Sequence, residues 1–400
     1  MSVWNFYSAG EIHFGCGVVN SIGRLARERR FAKVLVVTDR QLADAGIVDR
    51  IRRPLEAEGV SVELFEDGRA EPSLEEVIRC VDRARACSPD AILGLGGGSN
   101  MDVAKHSAAV VTHGGHPRDY FGEDNVPGPV LPLICIPTTA GTASEVTGAT
   151  VLTDTDAKLK AACLSNFLRP AIAMVDPELT LSCPAKVTAD SGIDALTHAI
   201  EAYTAVSNSE LVLEEGEHTL FQGANPMGAR LAEYAIELVG QHLVEAVRSP
   251  NNIEAREGMA LAALVAGLAF SNTGVALVHA MEYPMGGVVS CSHGAGNGIL
   301  LPAVMRFNLP ARLSHFKRIA ELLGVPTEGL SLEMAAERSV EKVEEIRDAI
   351  GIPSRLADLG ATEDQLRGFA EKTVTIRRLL RINPRAATVD ELEELYRSVW

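Results

Sequence analysis

The sequence has no Cys-x-x-Cys pair, no excess of basic residues and no apolar run long enough to cross a bilayer. Its seven cysteines are scattered along the chain, which favours reduced thiols over a disulfide framework. The formal net charge of -16 argues against a nucleic-acid partner, because little is available to neutralise a phosphate backbone. The longest apolar stretch, 259–270, is well short of the roughly 20 residues that span a bilayer. We therefore expect a core helix there and no membrane partner.

The opening residues, MSVWNFYSAGEIHFG, contain no basic stretch followed by an apolar one. No secretory signal is therefore expected, and the predicted location is the cytoplasm. The chain has 400 residues, of which 46% are hydrophobic and 22% are charged. These values are ordinary for a globular protein of two or three domains.

The first half of the chain alternates between strand and helix patterns. Short apolar runs at 33–39, 60–65 and 132–137 have the composition of buried parallel strands, and 90–108 is typical of a strand, a glycine loop and a helix. Ser73 to Glu76 forms a capping-box pattern that opens another helix. This alternation predicts βαβ units and a parallel sheet with helices on both faces.

The pattern changes near Pro184, after which strand signals nearly vanish and long 3.6-residue periods take over. Two more capping boxes, Thr362 to Gln365 and Thr388 to Glu391, open the last helices. We predict an α/β domain over 1–184 and an all-α domain over 185–400. The helical periods cover 186–205, 227–247, 253–270 and 331–349.

The segment GLGGGSNMD, 94–102, follows a predicted strand and opens a helix. Glycines let backbone N–H groups approach a ligand closely, and a helix N-terminus favours an anion. A tight turn with positive φ accounts for a lone glycine cluster about equally well. Ser99 stands where the last glycine of G-x-G-x-x-G would be, so this is not an ordinary Rossmann motif.

Asp39 ends the first strand of the α/β pattern. A carboxylate there can accept hydrogen bonds from ribose hydroxyls and repel a 2′-phosphate, although a helix N-cap is the commoner role for such a residue taken alone. The hydroxyls of PTTAGTASE, 137–145, suit a pyrophosphate or a nicotinamide ribose, or they satisfy their own loop. The glycine loop and Asp39 together predict a dinucleotide site that prefers NAD to NADP.

Asp194 and His198 are four residues apart in the stretch DALTHAIEAY and share one helix face. An Asp–His pair on an ordinary amphipathic helix is the alternative. His279 and His293 lie among glycines and small residues, where a lone histidine is more often a core residue. Together, one carboxylate and three imidazoles suit Fe(II) or Zn(II) and leave a position open for substrate oxygen.

Seven segments make a resemblance specific, and they occur in one order across nearly the whole chain. The chain resembles the iron-containing (group III) alcohol dehydrogenase family within the dehydroquinate-synthase-like superfamily. The segments are GGGSNMDVAK, PTTAGTASEVT, DPELTLSCP, GIDALTHAIEAY, HAMEYPMGG, SHGAGNGILLP and NPRAATVDELEELY.

The resemblance implies an N-terminal, Rossmann-like dinucleotide-binding domain and an all-helical metal-binding domain, with the active site in the cleft between them. It implies an NAD(H)-linked alcohol dehydrogenase or aldehyde reductase that acts on a small alcohol or aldehyde. It also implies a homodimer or larger homo-oligomer, often with N-terminal strands paired across subunits, which 6–15 would suit. The implied ligands of iron, or sometimes zinc, are Asp194, His198, His279 and His293. The implied cofactor contacts are Asp39, Gly97, Gly98, Ser99, Asp102, Thr138, Thr139, Thr142, Lys160 and Leu179.

Three departures from the family pattern bear on activity. Tyr283 stands where the family often has a second histidine, four residues after His279. We predict His279 and Tyr283 as catalytic residues, with Tyr283 either relaying a proton or packing on the cofactor or substrate. Ala143 replaces a usual glycine, and 206–223 resembles an insertion that walls the substrate pocket or joins a subunit contact.

Two other functions stay open at this point. With a tyrosine at position 283, the chain also resembles the hydroxyacid–oxoacid transhydrogenase branch. Such an enzyme would keep its NAD bound and transfer hydride between a hydroxyacid and an oxoacid. The non-enzymatic alternative is a metal-stabilised binding or assembly protein. It predicts no room for substrate at the metal.

Overall fold

The computed structural model describes residues 3–155, 159–213, 219–289 and 291–400. These residues form two compact units. An α/β unit comprises 7–155, 159–183 and 219–220, and a helical unit comprises 3–6, 184–213, 221–289 and 291–400.

The described residues of the α/β unit contain nine strands and five α-helices. The strands are β1 (Glu11–Phe14), β2 (Lys33–Val37), β3 (Ser61–Phe65), β4 (Ala91–Gly96), β5 (Gly122–Glu123), β6 (Leu133–Pro137), β7 (Ala149–Asp154), β8 (Leu159–Leu164) and β9 (Ile172–Val175). The helices are α1 (Ile22–Glu28), α2 (Arg40–Asp44), α3 (Ile47–Ala57), α4 (Leu74–Cys87) and α5 (Gly98–His113).

Six of these strands form a parallel sheet in the order β1-β9-β6-β4-β2-β3. β4, β6 and β9 are buried along their whole length, as expected for short apolar strands covered on both faces. Neighbouring strands β2 and β4 pair Leu35 with Ile92. The parallel arrangement confirms the predicted fold class. It also brings the carboxyl ends of β2, β4 and β6 to one edge of the sheet.

Alternate residues of the strands enter two separate apolar clusters. Val34 and Val36 of β2 pack in one cluster with residues of α1 and α3, whereas Leu35 and Val37 pack in the other with residues of α4 and α5. Because successive side chains of a strand point to opposite faces, the helices cover both faces of the sheet, as predicted.

A second sheet was not anticipated by the βαβ pattern. It has the order β5-β8-β7, with β7 and β8 antiparallel and Thr150 paired with Cys163. β5 is two residues long, too short for any periodicity to appear in the sequence. In the main sheet, β1 lies at the edge and pairs in parallel with β9, Glu11 opposite Ile172.

The described part of the helical unit contains nine α-helices. They are α6 (Ala185–Thr204), α7 (Pro226–Arg248), α8 (Ile253–Thr273), α9 (Leu277–Gly286), α10 (His293–Leu322), α11 (Leu332–Ala349), α12 (Leu366–Thr373), α13 (Arg377–Leu380) and α14 (Val389–Ser398). The four predicted helical periods correspond to α6, α7, α8 and α11. The capping boxes at Ser73, Thr362 and Thr388 are all formed.

α8 is buried on nearly every side, so its apolar stretch is a core helix, as predicted. Within the described ranges, no single helix is long and apolar enough to cross a membrane. Only α8 and α9 taken together pass on length and composition, and they are bent by 98° at the break between them.

Candidate metal centre and dinucleotide site

One face of α6 carries the first two candidate ligands. Asp194 and His198 are 2% and 5% exposed, and Glu201 extends the same face one turn further with 4% exposure. The face is buried because α6 packs against α7, α8 and α10 of its unit. The polar face of the DALTHAIEAY stretch therefore lies in the protein interior, whereas the polar face of an ordinary amphipathic helix is exposed to solvent.

The imidazoles of α6, α9 and α10 converge on one oxygen of Asp194. The Nε2 atoms of His198, His279 and His293 lie 3.9, 3.7 and 3.8 Å from Asp194 Oδ1. The ligand atoms of Asp194, His198 and His279 all lie within 4.8 Å of one another. Bonds of about 2.0–2.1 Å to a tetrahedral cation place neighbouring donor atoms roughly 3.4 Å apart. The four side chains therefore could hold a divalent cation with a small contraction.

The electrostatics of the cluster keep the carboxylate charged. Burial alone would raise the pKa of Asp194, but the three nearby imidazoles and a hydrogen bond from Asn297 outweigh it and lower that pKa. The His198 ring stacks on Phe270 at 4.0 Å and on His279 at 4.8 Å between centroids. His293 differs from the others, because its side chain is 33% exposed.

Asn297 lies at the centre of the cluster and was not predicted. Its Nδ2 donates to Asp194 Oδ1 at 2.8 Å and lies 3.3 and 3.2 Å from the Nε2 atoms of His279 and His293. Among the described residues, its buried Oδ1 has no hydrogen-bond partner. A buried polar oxygen without a partner is costly. This orphaned atom beside an O and N donor set fits a site that accommodates an added cation.

Two buried glutamates lie behind the imidazoles. Glu201 Oε2 is 2.6 Å from His279 Nδ1, and its carboxylate also accepts the backbone N–H groups of Ala276 and Val278. Glu282 Oε2 is 2.6 Å from His293 Nδ1. Carboxylates in this position fix the orientation of metal-binding histidines. The sequence contained a signal for each, since Glu201 is seven residues after Asp194 and Glu282 three after His279.

The glycine loop and the hydroxyl loop meet at the carboxyl edge of the sheet. Gly97 precedes α5, and a Cβ built on Gly98 would lie 2.7 Å from Thr142 Oγ1. Thr139 lies next to Gly97, and the Thr138 N–H donates to the Gly96 carbonyl at 3.0 Å. The structure therefore brings together Gly97, Gly98, Thr138, Thr139 and Thr142. Because glycine has no side chain, the two loops and the N-terminus of α5 can approach one another closely.

Asp39 has the helix-capping role considered from the sequence. Its Oδ1 accepts the Leu42 N–H at 3.0 Å at the start of α2, and its Oδ2 accepts Asn100 Nδ2 at 2.8 Å. Asn100, which was not predicted, also donates to the Leu95 carbonyl. It thereby ties Asp39 to the glycine loop. Ser99 Oγ donates to the Ala70 carbonyl at 2.6 Å.

The remaining predicted cofactor contacts are engaged within the protein. Asp102 accepts Ser144 Oγ at 2.7 Å and the Val151 N–H at 2.9 Å, and burial raises the pKa of its carboxyl. Lys160 pairs with Glu71 at 3.1 Å, and Leu179 is fully buried in an apolar cluster. Contact of these three residues with a cofactor stays a prediction.

Comparison with known proteins decides the family. A model described as iron-containing alcohol dehydrogenase matches residues 9–177, and one described as the C-terminal part of the Fe-containing alcohol dehydrogenase family matches 217–400. The chain belongs to the iron-containing alcohol dehydrogenase family.

Individual relatives agree with this membership. The chain is 36% identical to an NAD-dependent methanol dehydrogenase of Bacillus methanolicus, over 98% of this chain and 99% of the relative. It is also 36% identical to a 1,3-propanediol dehydrogenase of Citrobacter freundii, over 97% and 96% of the two chains. The crystal structure of a 1,3-propanediol oxidoreductase superimposes with a TM-score of 0.93 at 34% identity, covering all of both chains.

Two of the departures from the iron-containing alcohol dehydrogenase pattern have a visible structural setting. Tyr283 is on α9, half-buried, with its ring centroid 6.3 Å from that of His293. Burial raises the pKa of Tyr283, Arg378 opposes this effect and Glu282 adds to it. Ala143 adopts a φ of 50°. This is the left-handed region that favours glycine, and an alanine there stores on the order of 1 kcal/mol of strain.

The third departure is the segment 206–223, of which 214–218 lie outside the described residues. Its two described ends lie side by side, since Ser207 and Ala224 form an isolated bridge and Asn208 Nδ2 donates to the Gln222 carbonyl at 2.8 Å. Gln222 also bonds to Asn5 in both directions. The roles expected for this segment, in the substrate pocket or a subunit contact, stay predictions.

Proposed function

We propose that the protein is a metal-dependent, NAD(H)-linked alcohol dehydrogenase or aldehyde reductase. It would transfer hydride between C4 of the nicotinamide and a small alcohol or carbonyl substrate. The observation that carries the proposal is the convergence of three imidazoles within 3.7–3.9 Å of one buried carboxylate oxygen. Membership of the family and the NAD-dependent relative support it.

Asp194, His198, His279 and His293 would hold Fe(II), or alternatively Zn(II). When bound, such an ion supplies Lewis-acid polarisation of the substrate oxygen. Either metal suits the reaction, because the nicotinamide carries the hydride and the metal need not change oxidation state. The chain's own contribution is to fix the donor atoms and to hold them in a site from which water is largely excluded.

The α/β unit would bind the dinucleotide. The N-terminus of α5 and the close-packed glycines suit the pyrophosphate, because backbone N–H groups there face outward to an anion. Asp39 would accept hydrogen bonds from a ribose, and Asn100 holds its carboxylate in place. The proposed cofactor contacts are Asp39, Gly97, Gly98, Ser99, Asp102, Thr138, Thr139, Thr142, Lys160 and Leu179.

The assembly, the location and the domain limits belong to the same proposal. We place the domains at 1–184 and 185–400, and we expect a homodimer or larger homo-oligomer in the cytoplasm. The exposed Tyr7 and Ile12 near the edge strand β1 favour self-association through 6–15. None of the seven cysteines, all of which lie within the described ranges, is joined in a disulfide, as expected of a reducing compartment.

The test is elemental analysis of anaerobically purified protein, followed by an NADH-consumption screen at 340 nm over aldehydes and 2-oxoacids. We expect bound iron or zinc and NADH oxidation with at least one aldehyde. Protein without metal and without activity on any substrate would contradict the proposal. Bound metal without activity on any substrate would favour the metal-stabilised binding or assembly alternative. Stoichiometric retained NAD with no turnover of added cofactor would favour the transhydrogenase instead.

Tyr283 would donate a proton to the oxygen of a carbonyl substrate as it is reduced. A phenol with its ordinary pKa near 10 is protonated at neutral pH and so has a proton to donate. Burial, which raises the pKa of Tyr283, makes it a weaker acid, and the positive charge of Arg378 opposes that effect. We expect Tyr283→Phe to lower kcat for aldehyde reduction on the order of 10²-fold with the metal content unchanged. The matched control is Tyr234→Phe on the exposed surface of α7, for which we expect no loss. An unchanged kcat with a raised KM would assign Tyr283 to packing.

A further inference from the structure

Glu282 is the most deeply buried acidic side chain near the metal centre. Glu282 is on α9 and is 0% exposed. One carboxylate oxygen, Oε2, lies 2.6 Å from Nδ1 of His293 on α10. A carboxylate withdrawn from water at this cost is retained only where it is paired.

The space around Glu282 is shaped by two glycines, one on each helix. A Cβ built on Gly286 would lie 2.3 Å from Glu282 Oε1. A Cβ built on Gly296 would lie 3.0 Å from Glu282 Cγ. Larger residues at either position would displace the carboxylate from the histidine. The room for Glu282 is therefore built by both helices.

We propose that Glu282 is a positioning residue that presents His293 Nε2 to the metal. This inference rests on the proposed function. An ionised carboxylate can only accept a hydrogen bond, so the proton of the imidazole is held on Nδ1. Nε2 then carries the lone pair, with Asp194 Oδ1 at 3.8 Å and Asn297 Nδ2 at 3.2 Å, and would donate it to a cation bound there.

The contact also sets the spacing between two ligand-bearing helices. His279 and Glu282 are both on α9, whereas His293 begins α10. Glu201 makes the equivalent tie from α6 to His279, and Asn297 of α10 donates back to Asp194. The three helices are thus joined in a ring of hydrogen bonds around the candidate cation position. Glu282 is the tie from α9 to α10.

The experiment compares the full-length parent with Glu282→Gln and Glu282→Ala. The first readout is Zn²⁺ retention in competition with a chelator. Loss of a carboxylate behind a ligating histidine typically costs 10- to 100-fold in metal affinity. We expect a loss of about that size for Glu282→Ala and a smaller one for Glu282→Gln, whose amide oxygen still accepts from Nδ1.

The second readout is the tautomer of His293, measured by ¹⁵N NMR of histidine-labelled protein as purified. We expect the proton on Nδ1 in the parent and in Glu282→Gln, and a mixed population in Glu282→Ala. The matched control is Glu76→Gln, which removes the charge from another buried glutamate that caps α4. It should change neither readout.

Equal Zn²⁺ retention in all variants, with His293 protonated on Nδ1 throughout, would overturn the proposal. Should Glu282→Ala fail to fold, Glu282→Met decides the question, because it keeps most of the side-chain volume and removes the acceptor for Nδ1. If Glu282→Met then retained Zn²⁺ as the parent does, Glu282 would be a packing residue. A parent that bound no Zn²⁺ would contradict the proposed function, whereas the tautomer would still test Glu282.

Discussion

Replacing His279 by alanine should abolish metal retention and lower turnover by on the order of 10³-fold or more, since Lewis-acid stabilisation contributes several kcal/mol. His279 is central to the donor set. Its Nε2 lies 3.7 Å from Asp194 Oδ1, and its Nδ1 lies 2.6 Å from Glu201. The substitution therefore removes a ligand and also takes one hydrogen bond from a buried carboxylate.

The measurements are metal content after anaerobic purification and kcat/KM for aldehyde reduction. His242→Ala is the matched control, because His242 is on α7 beside Gly258 and outside the donor set. We expect that control to retain both metal and activity. Full activity of His279→Ala without bound metal would end the assignment of this site.

Replacing Asp39 by glycine should shift cofactor preference toward NADP. A carboxylate beside the adenosine ribose repels a 2′-phosphate. The repulsion energy between two like charges a few ångströms apart is several kcal/mol at an effective dielectric constant near 20. We expect the NADP-to-NAD ratio of kcat/KM to rise on the order of 10²-fold. The cost to the helix cap should be small, because replacing an aspartate N-cap by glycine costs only a few tenths of a kcal/mol. The loss of the contact with Asn100 adds to it.

Asp39→Asn separates the charge of Asp39 from its helix-capping contact, although the contact with Asn100 Nδ2 is lost because an amide nitrogen is also a donor. Asparagine caps helices about as well as aspartate, so the bond to the Leu42 N–H can persist. If charge controls the preference, Asp39→Asn gains NADP use as Asp39→Gly does. An unchanged cofactor ratio in both variants would count against the ribose contact.

Local sequence patterns predicted most of the main sheet and the helices α6, α7, α8 and α11, but not α10, the longest described helix. The apolar runs predicted β2, β4 and β6. These strands are almost fully buried, as expected of parallel strands that are covered on both faces. The antiparallel sheet of β5, β7 and β8 was missed because β5 has only two residues and because β7 and β8 carry polar residues among the apolar ones. Periodicity describes one element at a time, and this sheet depends on pairing between elements.

The candidate site shows even more clearly that local patterns do not predict contacts between elements. The i, i+4 spacing placed Asp194 and His198 on one face, but only tertiary packing brings α9 and α10 to that face. The convergence was expected from the family resemblance and not from spacing. Glu201, Glu282 and Asn297 were overlooked because each has an ordinary helical spacing. Their meaning appears only when the distances to the imidazoles are known.

The unequal exposure of the ligands has a consequence for ion exchange. The side chains of Asp194, His198 and His279 are 3–6% exposed, whereas that of His293 is 33% exposed. Because solvent contacts His293 and barely reaches the other three side chains, we expect an ion to enter and leave on the His293 side of the cluster.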